Sequence, residues 1–361
     1  MLPVYAHGAQ GPNLSRNGVV RYNRVEGLFA GYRVSGSPRQ QRKVSFHLDG
    51  GYGIGLREAR WEAGATYKSG KASLSASVFD RTETNDHNII RTTENTFSAL
   101  LFKGDYRDYF RAKNGFSASA GYRLRKHLNL QSHLTTFAYR SMPVEAEWSI
   151  LRNADAFRAN PAIREGDAGH LQIGLVFDNR RKGPVFRNGT FAALTYERGF
   201  REFPHNGFAI ALNRKQKTIF GKQAFILRFL VGSRESVDEQ FLFDLGGVST
   251  LRAYRIKEFT GNRVLLANLD YVFNGDLFGR IPIKGAHLME LILFADAGWL
   301  NSVPRTDHLL TGFGDFRLGD AKTNIGAALS VYRQLIRFNV ARRFDGDIDD
   351  WTFSLRFKRE L

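Results

Sequence analysis

Apolar and polar residues alternate with a period of two through most of this chain. In 43–53, Val44, Phe46, Leu48 and Tyr52 alternate with Ser45, His47 and Asp49. In 59–68, Trp61, Ala63, Ala65 and Tyr67 alternate with Glu62, Gly64, Thr66 and Lys68; in 71–80, Ala72, Leu74, Ala76 and Val78 alternate with serines and Phe79. The same beat runs through 116–125, 128–138, 171–177, 325–331 and 351–357. Successive side chains of a strand point to opposite faces, so this beat predicts strands with one apolar and one polar face. Each run is about 9 to 11 residues long, the length of a tilted membrane-spanning strand. Fifteen strands are clear; closed outer-membrane sheets favour an even number, which gives about sixteen. The missing strand is placed near Phe97–Phe102 or before Tyr22, and Phe97–Phe110 also reads as a short helix.

Connections alternate between tight and long. Ser69-Gly70, Arg125-Lys126 and Arg333-Gln334 read as hairpin turns, whereas 82–114, 140–168, 233–261 and 300–322 are long and polar. Short turns at one rim and long loops at the other belong to outer-membrane barrels. Aromatics near strand ends (Tyr52, Trp61, Tyr67, Trp299 and Trp351) suit a girdle at the membrane interface. The competing architecture is a soluble sandwich or an interior-packed barrel. It would have shorter strands, and the polar faces here, rich in Ser, Thr, Asn, Gly and charge, would make a poor protein core. The fold class expected is therefore all-β: a transmembrane antiparallel β-barrel of about sixteen strands with a long lumen-directed loop. Residues 1–21 read as an irregular N-terminal segment and 22–361 as the barrel domain.

Composition narrows the picture further. The 361 residues include 36 glycines and 30 phenylalanines but 9 prolines, and no cysteine. No apolar run approaches the roughly 20 residues of a membrane helix, which leaves a strand-built membrane protein untouched. The formal charge is +17, from 52 basic against 35 acidic residues. The basic residues are spread over strand ends, turns and alternate strand positions with no basic helix or tail, so basic girdles and a basic lumen are expected, not nucleic-acid binding. The opening MLPVYAHGAQ lacks the charged-then-apolar order of a secretory signal, so an earlier start or prior processing is expected.

The candidate chemistry lies in 241–271. Gly246-Gly247 precede Leu251-Arg252-Ala253-Tyr254, then Gly261-Asn262 open a strand carrying Asn268-Leu269-Asp270-Tyr271. Further on stands Phe294-Ala295-Asp296-Ala297-Gly298. If Met289, Leu291, Leu293, Ala295 and Ala297 face lipid, then Glu290, Ile292, Phe294 and Asp296 face inward. Arg228, Arg337 and Arg343 stand on polar faces by the same parity, followed by Arg356 and Lys358. With Asp270, Glu290 and Asp296 they form a ladder of lumen charges, for which solvated charges lining water are the plain reading.

In this order and spacing the motifs resemble the bacterial surface-antigen outer-membrane β-barrel superfamily, which includes the insertase BamA, its relative TamA and the barrels of two-partner secretion. The turn Asp178-Asn179-Arg180 with Pro184 and Gly189 is similar to one earlier in such barrels. The resemblance spans roughly 22–361 and is strongest from 170 onward. It implies that the loop tucks into the lumen and that Arg252 meets Asp296. The competing placement leaves Arg252 in solvent at the loop tip. Such barrels usually have glycine where Ala253 stands, which predicts a slightly reshaped loop tip. They also commonly finish on an aromatic residue; here Phe353, Leu355, Phe357 and Leu361 share the terminal face.

The resemblance implies a part in outer-membrane protein insertion or translocation, through a partly unzipped seam between 24–34 and 351–361. The alternative is a passive channel or structural surface protein on the same barrel. The expected partners are outer-membrane lipid and client outer-membrane or secreted proteins, the barrel being monomeric and located in the outer membrane of a Gram-negative-type bacterium. Periplasmic docking domains are usual in such barrels; with no room for one before residue 20, the expectation is either that they lie upstream of this sequence or that this is a reduced member with a different role. No enzyme activity, cofactor or metal is expected: the 9 histidines show no metal-ligand spacing on a helix and no Gly-x-Ser-x-Gly elbow occurs. Ser132 with His133, or Ser45 with His47, are the nearest approach to a rim hydrolase and are expected by coincidence on serine-rich faces.

Overall fold

The structure is a computed structural model. It describes residues 17–357 apart from 38–42, 88, 153, 181–187, 221–222, 274–277, 279–281, 283–284, 306–307, 332–334 and 345–350. The strands among the described residues are β1 (Gly18–Asn23), β2 (Gly27–Gly36), β3 (Val44–Gly53), β4 (Glu58–Ser69), β5 (Ala72–Glu83), β6 (Phe110–Arg125), β7 (Leu128–Ser141), β8 (Gly166–Asp178) and β9 (Gly189–Arg201). They continue as β10 (His205–Lys217), β11 (Ala224–Arg234), β12 (Phe243–Leu245), β13 (Phe259–Gly261), β14 (Arg263–Phe273), β15 (Met289–Asn301), β16 (Lys322–Val331), β17 (Ile336–Arg343) and β18 (Trp351–Phe357). One helix, α1, spans Thr92–Phe102. Sixteen strands form one sheet in simple chain order from β1 to β18, omitting only β12 and β13, which pair as a separate hairpin. Neighbour-to-neighbour pairing in chain order keeps each ladder antiparallel, as hairpin connections require.

The chain divides into two compact units. One comprises 1–175 with 195–206 and 238–240; the other comprises 176–194, 207–237 and 241–361.

In the first unit the period of two decides which face is covered. Phe46, Leu48, Tyr52, Trp61, Tyr67, Leu74 and Val78 are exposed, while on β5 Ser77 and Phe79 are buried, as are Asp80 and Thr82 once the register shifts between Phe79 and Arg81. An apolar exposed face with a polar buried face inverts the order of a soluble sheet and matches a strand bounded by lipid. The missing strand is β1, pairing Gly18 with Tyr32 through to Asn23 with Gly27. Arg24–Glu26 therefore form the turn between β1 and β2, which corrects the expectation of a first strand over 24–34. Phe97–Phe102 is helical. The end of α1 is set by Lys103 in the left-handed region, φ 57°, whose backbone N–H donates to Ala99 O. The carbonyls of Leu100 and Leu101, left over at the helix end, accept from the backbone of Ile150 and Leu151 at 2.8 and 3.0 Å.

The second unit holds the most continuous run of ladders, β11 and β14–β18. On β15, Ile292, Phe294 and Asp296 are buried while Leu293 is 46% exposed, the parity that the sequence predicts. The β12–β13 hairpin and its loop lie on the buried face: Phe243, Leu245, Leu251 and Tyr254 pack with Val264, Leu266, Ile292, Phe294, Ala328 and Ala341. Trp351 is exposed as expected of a girdle, but Trp299 is only 6% exposed. The connection after β15 covers it, with Phe313 and Phe316 at ring-centroid distances of 6.0 and 5.5 Å. Arg333-Gln334, Pro184, Lys358 and Leu361 lie outside the described residues.

Candidate functional site

The loop between β12 and β13 needs a reversal sharper than most residues allow. Gly246 and Gly247 supply it, with φ of 119° and 91°. A Cβ on Gly246 would stand 2.1 Å from Arg255 O, so this position has neither the conformation nor the room for a side chain. Thr250 Oγ1 closes the turn, accepting from Gly246 N–H at 2.8 Å and donating to Gly246 O at 3.0 Å. Gly247 N–H donates to Leu251 O and Tyr254 O, both at 3.1 Å, and Tyr254 N–H to Leu251 O at 3.1 Å. The four residues Leu251–Tyr254 are thereby folded into one tight unit, and all four are buried.

Arg252 projects from this unit onto the polar face of β14 and β15. Its Nε donates to Asp296 Oδ2 at 2.8 Å and its Nη2 to Asp296 Oδ1 at 2.5 Å. Nη2 also donates to Asp270 Oδ1 at 2.7 Å, and the Arg252 backbone N–H to Asp296 Oδ2 at 3.2 Å. The guanidinium lies over the Phe294 ring, 3.8 Å from its centroid. A planar fork satisfied on both edges by carboxylates and stacked on an aromatic face is a geometry that lysine does not reproduce.

The two carboxylates are held in turn. Asn268 and Asn324 stand opposite Asp296 on the two flanking strands. They donate to its Oδ1 and Oδ2 at 2.7 and 2.8 Å. Arg337 donates from Nη1 to Asp270 Oδ2 at 3.1 Å. Two arginines and two aspartates thus share one buried network with balanced formal charge. Opposite charges in hydrogen-bonding contact make buried charge tolerable, although Arg337 Nη2 is buried without a hydrogen-bond partner.

Every predicted member of the loop motif falls in this site. Gly298 matters through its missing side chain: a Cβ there would meet Leu245 at 2.6 Å and Leu251 at 3.2 Å. Gly261 likewise faces Asn301 O at 2.7 Å. Ala253 is not among the residues of positive φ, so alanine is accommodated without backbone strain. Its carbonyl accepts from Thr352 Oγ1 on β18 at 2.9 Å, and Tyr254 Oη donates to Thr323 O at 3.2 Å.

The remaining charges spread along the same face. Arg356 Nη1 reaches Val248 O at 3.0 Å, and Arg343 pairs with Glu258 at 3.6 Å, so both touch the loop. Arg228 stands opposite Asn268 in the β11–β14 register. Glu290, at the far end of β15, accepts from Ser330 at 3.3 Å. The expected ladder is therefore a packed cluster at Arg252 with outliers along the strands, and not a row of solvated charges.

Sequence reading missed Arg263. Its guanidinium is fully buried and donates to Thr311 O, His308 O and Arg234 O at 2.8, 2.9 and 2.6 Å. It also missed the centre of the first unit. Arg24 is fully buried and donates from Nη1 to Asp105 O and Arg107 O. From Nη2 it reaches Asp108 Oδ1 and Asn160 Oδ1 at 2.7 and 3.1 Å. Its carbonyl accepts from Glu145 and Ala146, both at 2.9 Å. In the adjoining turn, Arg21 grips Glu26 through two bonds of 2.7 Å and Asn23 donates to it at 2.6 Å. Burial raises the Glu26 carboxyl pKa, but Arg21 and these hydrogen bonds outweigh it and leave it below the ordinary 4.5. No partner in this cluster follows a strand parity, which is why the pattern was silent. The two histidines set beside serines are engaged elsewhere: His133 Nε2 contacts Thr135 Oγ1 at 2.6 Å and His47 Nε2 lies 3.5 Å from Glu62.

A sheet of sixteen antiparallel strands, apolar outside and polar inside, with a folded-in loop, is the β-barrel of outer-membrane proteins. One solved structure agrees at the level of fold. The crystal structure of BamA from Haemophilus ducreyi lacking POTRA domains 1–3 is similar with a TM-score of 0.58 at 14% identity, over 95% of this chain and 70% of that one. CdiB from Acinetobacter baumannii gives 0.49 at 11% identity, over 94% and 58%. CdiB from Escherichia coli gives 0.48 at 11%, over 94% and 61%. This chain thus spans about three fifths of the CdiB chains. Residues 6–169 match the C-terminal domain of a family of unknown function, DUF5686. No curated protein matches the chain.

Proposed function

We propose that this chain is an outer-membrane β-barrel that acts in inserting or translocating other proteins, without enzymatic chemistry of its own. The observation that carries the reading is the Arg252 network. It anchors a loop to β14, β15 and β16, and to β18 through Thr352 and Arg356. Such an anchor organises the end of the sheet that carries β18. β1 and β18 begin and end the sheet order. A terminal strand with an unpaired edge is a template on which an incoming strand gains main-chain hydrogen bonds. Client outer-membrane or secreted proteins are the corresponding partners, and outer-membrane lipid covers the exposed apolar face.

A photoreactive amino acid placed at Thr352 or Ser354 on β18, in cells making a labelled outer-membrane precursor, tests this. Crosslinks to the precursor are expected, along with their loss in Arg252→Ala despite unchanged membrane location. Conductance in planar bilayers without any precursor crosslink would instead identify a passive channel.

A further inference from the structure

We propose that His170, Glu197 and His205, on adjacent strands β8, β9 and β10 of the first unit, form a site for one divalent transition-metal ion of the zinc class. The ligand atoms the three residues offer all lie within 4.8 Å of one another, and all three side chains are buried. His205 is oriented as a metal-binding histidine is. Its Nδ1 lies 3.0 Å from the carbonyl of Phe203, an acceptor only, so the Nδ1 position carries the proton. That leaves Nε2 to face Glu197 Oε1 at 2.9 Å. A bare ring nitrogen and a carboxylate oxygen repel at this distance, so a cation, metal or proton, belongs between them.

The surroundings select the metal. Gln172 donates to Glu197 Oε2 at 2.9 Å, fixing the carboxylate from behind, and Tyr139 Oη contacts His170 Nε2 at 3.3 Å. Carbonyl-bonded and amide-bonded partners of this kind orient ligands at metal centres. Gly199 leaves room for the His205 ring; a Cβ there would stand 2.3 Å from Nδ1. Two imidazoles and one carboxylate suit zinc or a neighbouring first-row ion, whereas calcium and magnesium favour all-oxygen sets. Phe137, Tyr139 and Phe203 surround the site with rings and keep it from bulk water. None of these residues belongs to the Arg252 network, so the site stands or falls apart from the proposed transport role.

The test uses detergent-purified protein stripped with chelator and titrated with zinc chloride, then separately with cobalt chloride. Expected are one zinc ion per chain, a higher melting temperature with zinc, and cobalt ligand-field bands showing nitrogen and oxygen donors. Glu197→Gln and His205→Gln should abolish stoichiometric binding, and Gln172→Ala should weaken it about 10- to 100-fold, while His133→Gln binds as wild type. Folding of each variant is checked by heat-modified gel mobility. No one-to-one binding by folded wild type, or equal binding by folded His205→Gln, overturns the proposal; the first would make the contact a protonated histidine–glutamate pair.

Discussion

Two buried arginines organise this molecule, one in each unit, and they are held on different supports. Arg252 is gripped by carboxylates that project from β14 and β15, with asparagines from the flanking strands completing the shell. Arg24 is gripped by the backbone carbonyls of Asp105 and Arg107, by the carboxylates of Asp108 at 2.7 Å and Asp105 at 3.5 Å, and by Asn160, all on irregular segments. The first is a lock between a loop and rigid strands. The second is a lock among loops and a turn, each of which holds the others in place. A strand-based partner keeps its position when the arginine leaves, whereas a loop-based partner moves. The cost of removing each arginine should therefore differ in kind as well as size.

Arg252→Ala should have the largest effect. It leaves Asp296 and Asp270 buried on strands that cannot relax, a loss of about 3–5 kcal/mol. Denaturant unfolding in detergent, read by heat-modified gel mobility, should shift accordingly, and backbone exchange in 246–261 should rise. A wild-type midpoint with wild-type exchange would mean that the loop is held by its apolar contacts alone.

Arg24→Ala should cost less, about 1–3 kcal/mol, because Asp105 keeps Asn95 and Tyr109 as donors and Asp108 keeps Arg158. Exchange at Glu145 and Ala146 should rise, while ladder amides of β3–β5 stay protected. An equal or larger loss than for Arg252→Ala would erase the distinction drawn here. Lysine substitution sharpens it. Arg24→Lys should retain more stability than Arg252→Lys, since Asp105 and Asp108 have other donors, whereas an ammonium at position 252 cannot bridge two carboxylates in one plane.

Gly298→Ala comes next, at about 1–3 kcal/mol, as the added methyl drives into Leu245 and Leu251. The melting temperature should fall with Arg252 and its partners still present, and a neutral outcome would mean that the hairpin lifts freely from β15. The smallest effect is an acid one at the turn beside Arg24. Glu26 has a folded-state pKa below its ordinary 4.5, so its contribution is full above that value and is lost as pH falls through the folded pKa. Between neutral pH and 4.5, Glu26→Gln should differ from wild type by a constant stability gap. The gap should shrink only at lower pH, and a gap closing above pH 5 would contradict the Arg21–Glu26 clamp.

The same contrast explains what the sequence disclosed. Asp296 and Phe294 were placed on the buried face by parity on β15, and Arg252 was matched to Asp296 through the resemblance of its loop. Asn324 was equally available, since it stands opposite Asp296 once the β15–β16 register is known, yet no pattern within one strand announces a register. Trp299 misled because its parity is outward, as predicted, but the later chain segment carrying Phe313 and Phe316 folds over it. Arg24 was taken for a strand residue because Arg24, Val25 and Glu26 run charged, apolar, charged and so imitate alternation.

Local chemistry fixed the strands, the sidedness of each face, and the glycine-framed loop, because side-chain direction in an extended chain depends only on position parity. Which loops meet, where β1 begins, and how Arg24, Arg263 and the His170–Glu197–His205 trio find their neighbours were decided by the folded chain. Those contacts join backbone groups and residues far apart in sequence, and nothing in their residue types or spacing distinguishes them until the sheet has brought them together.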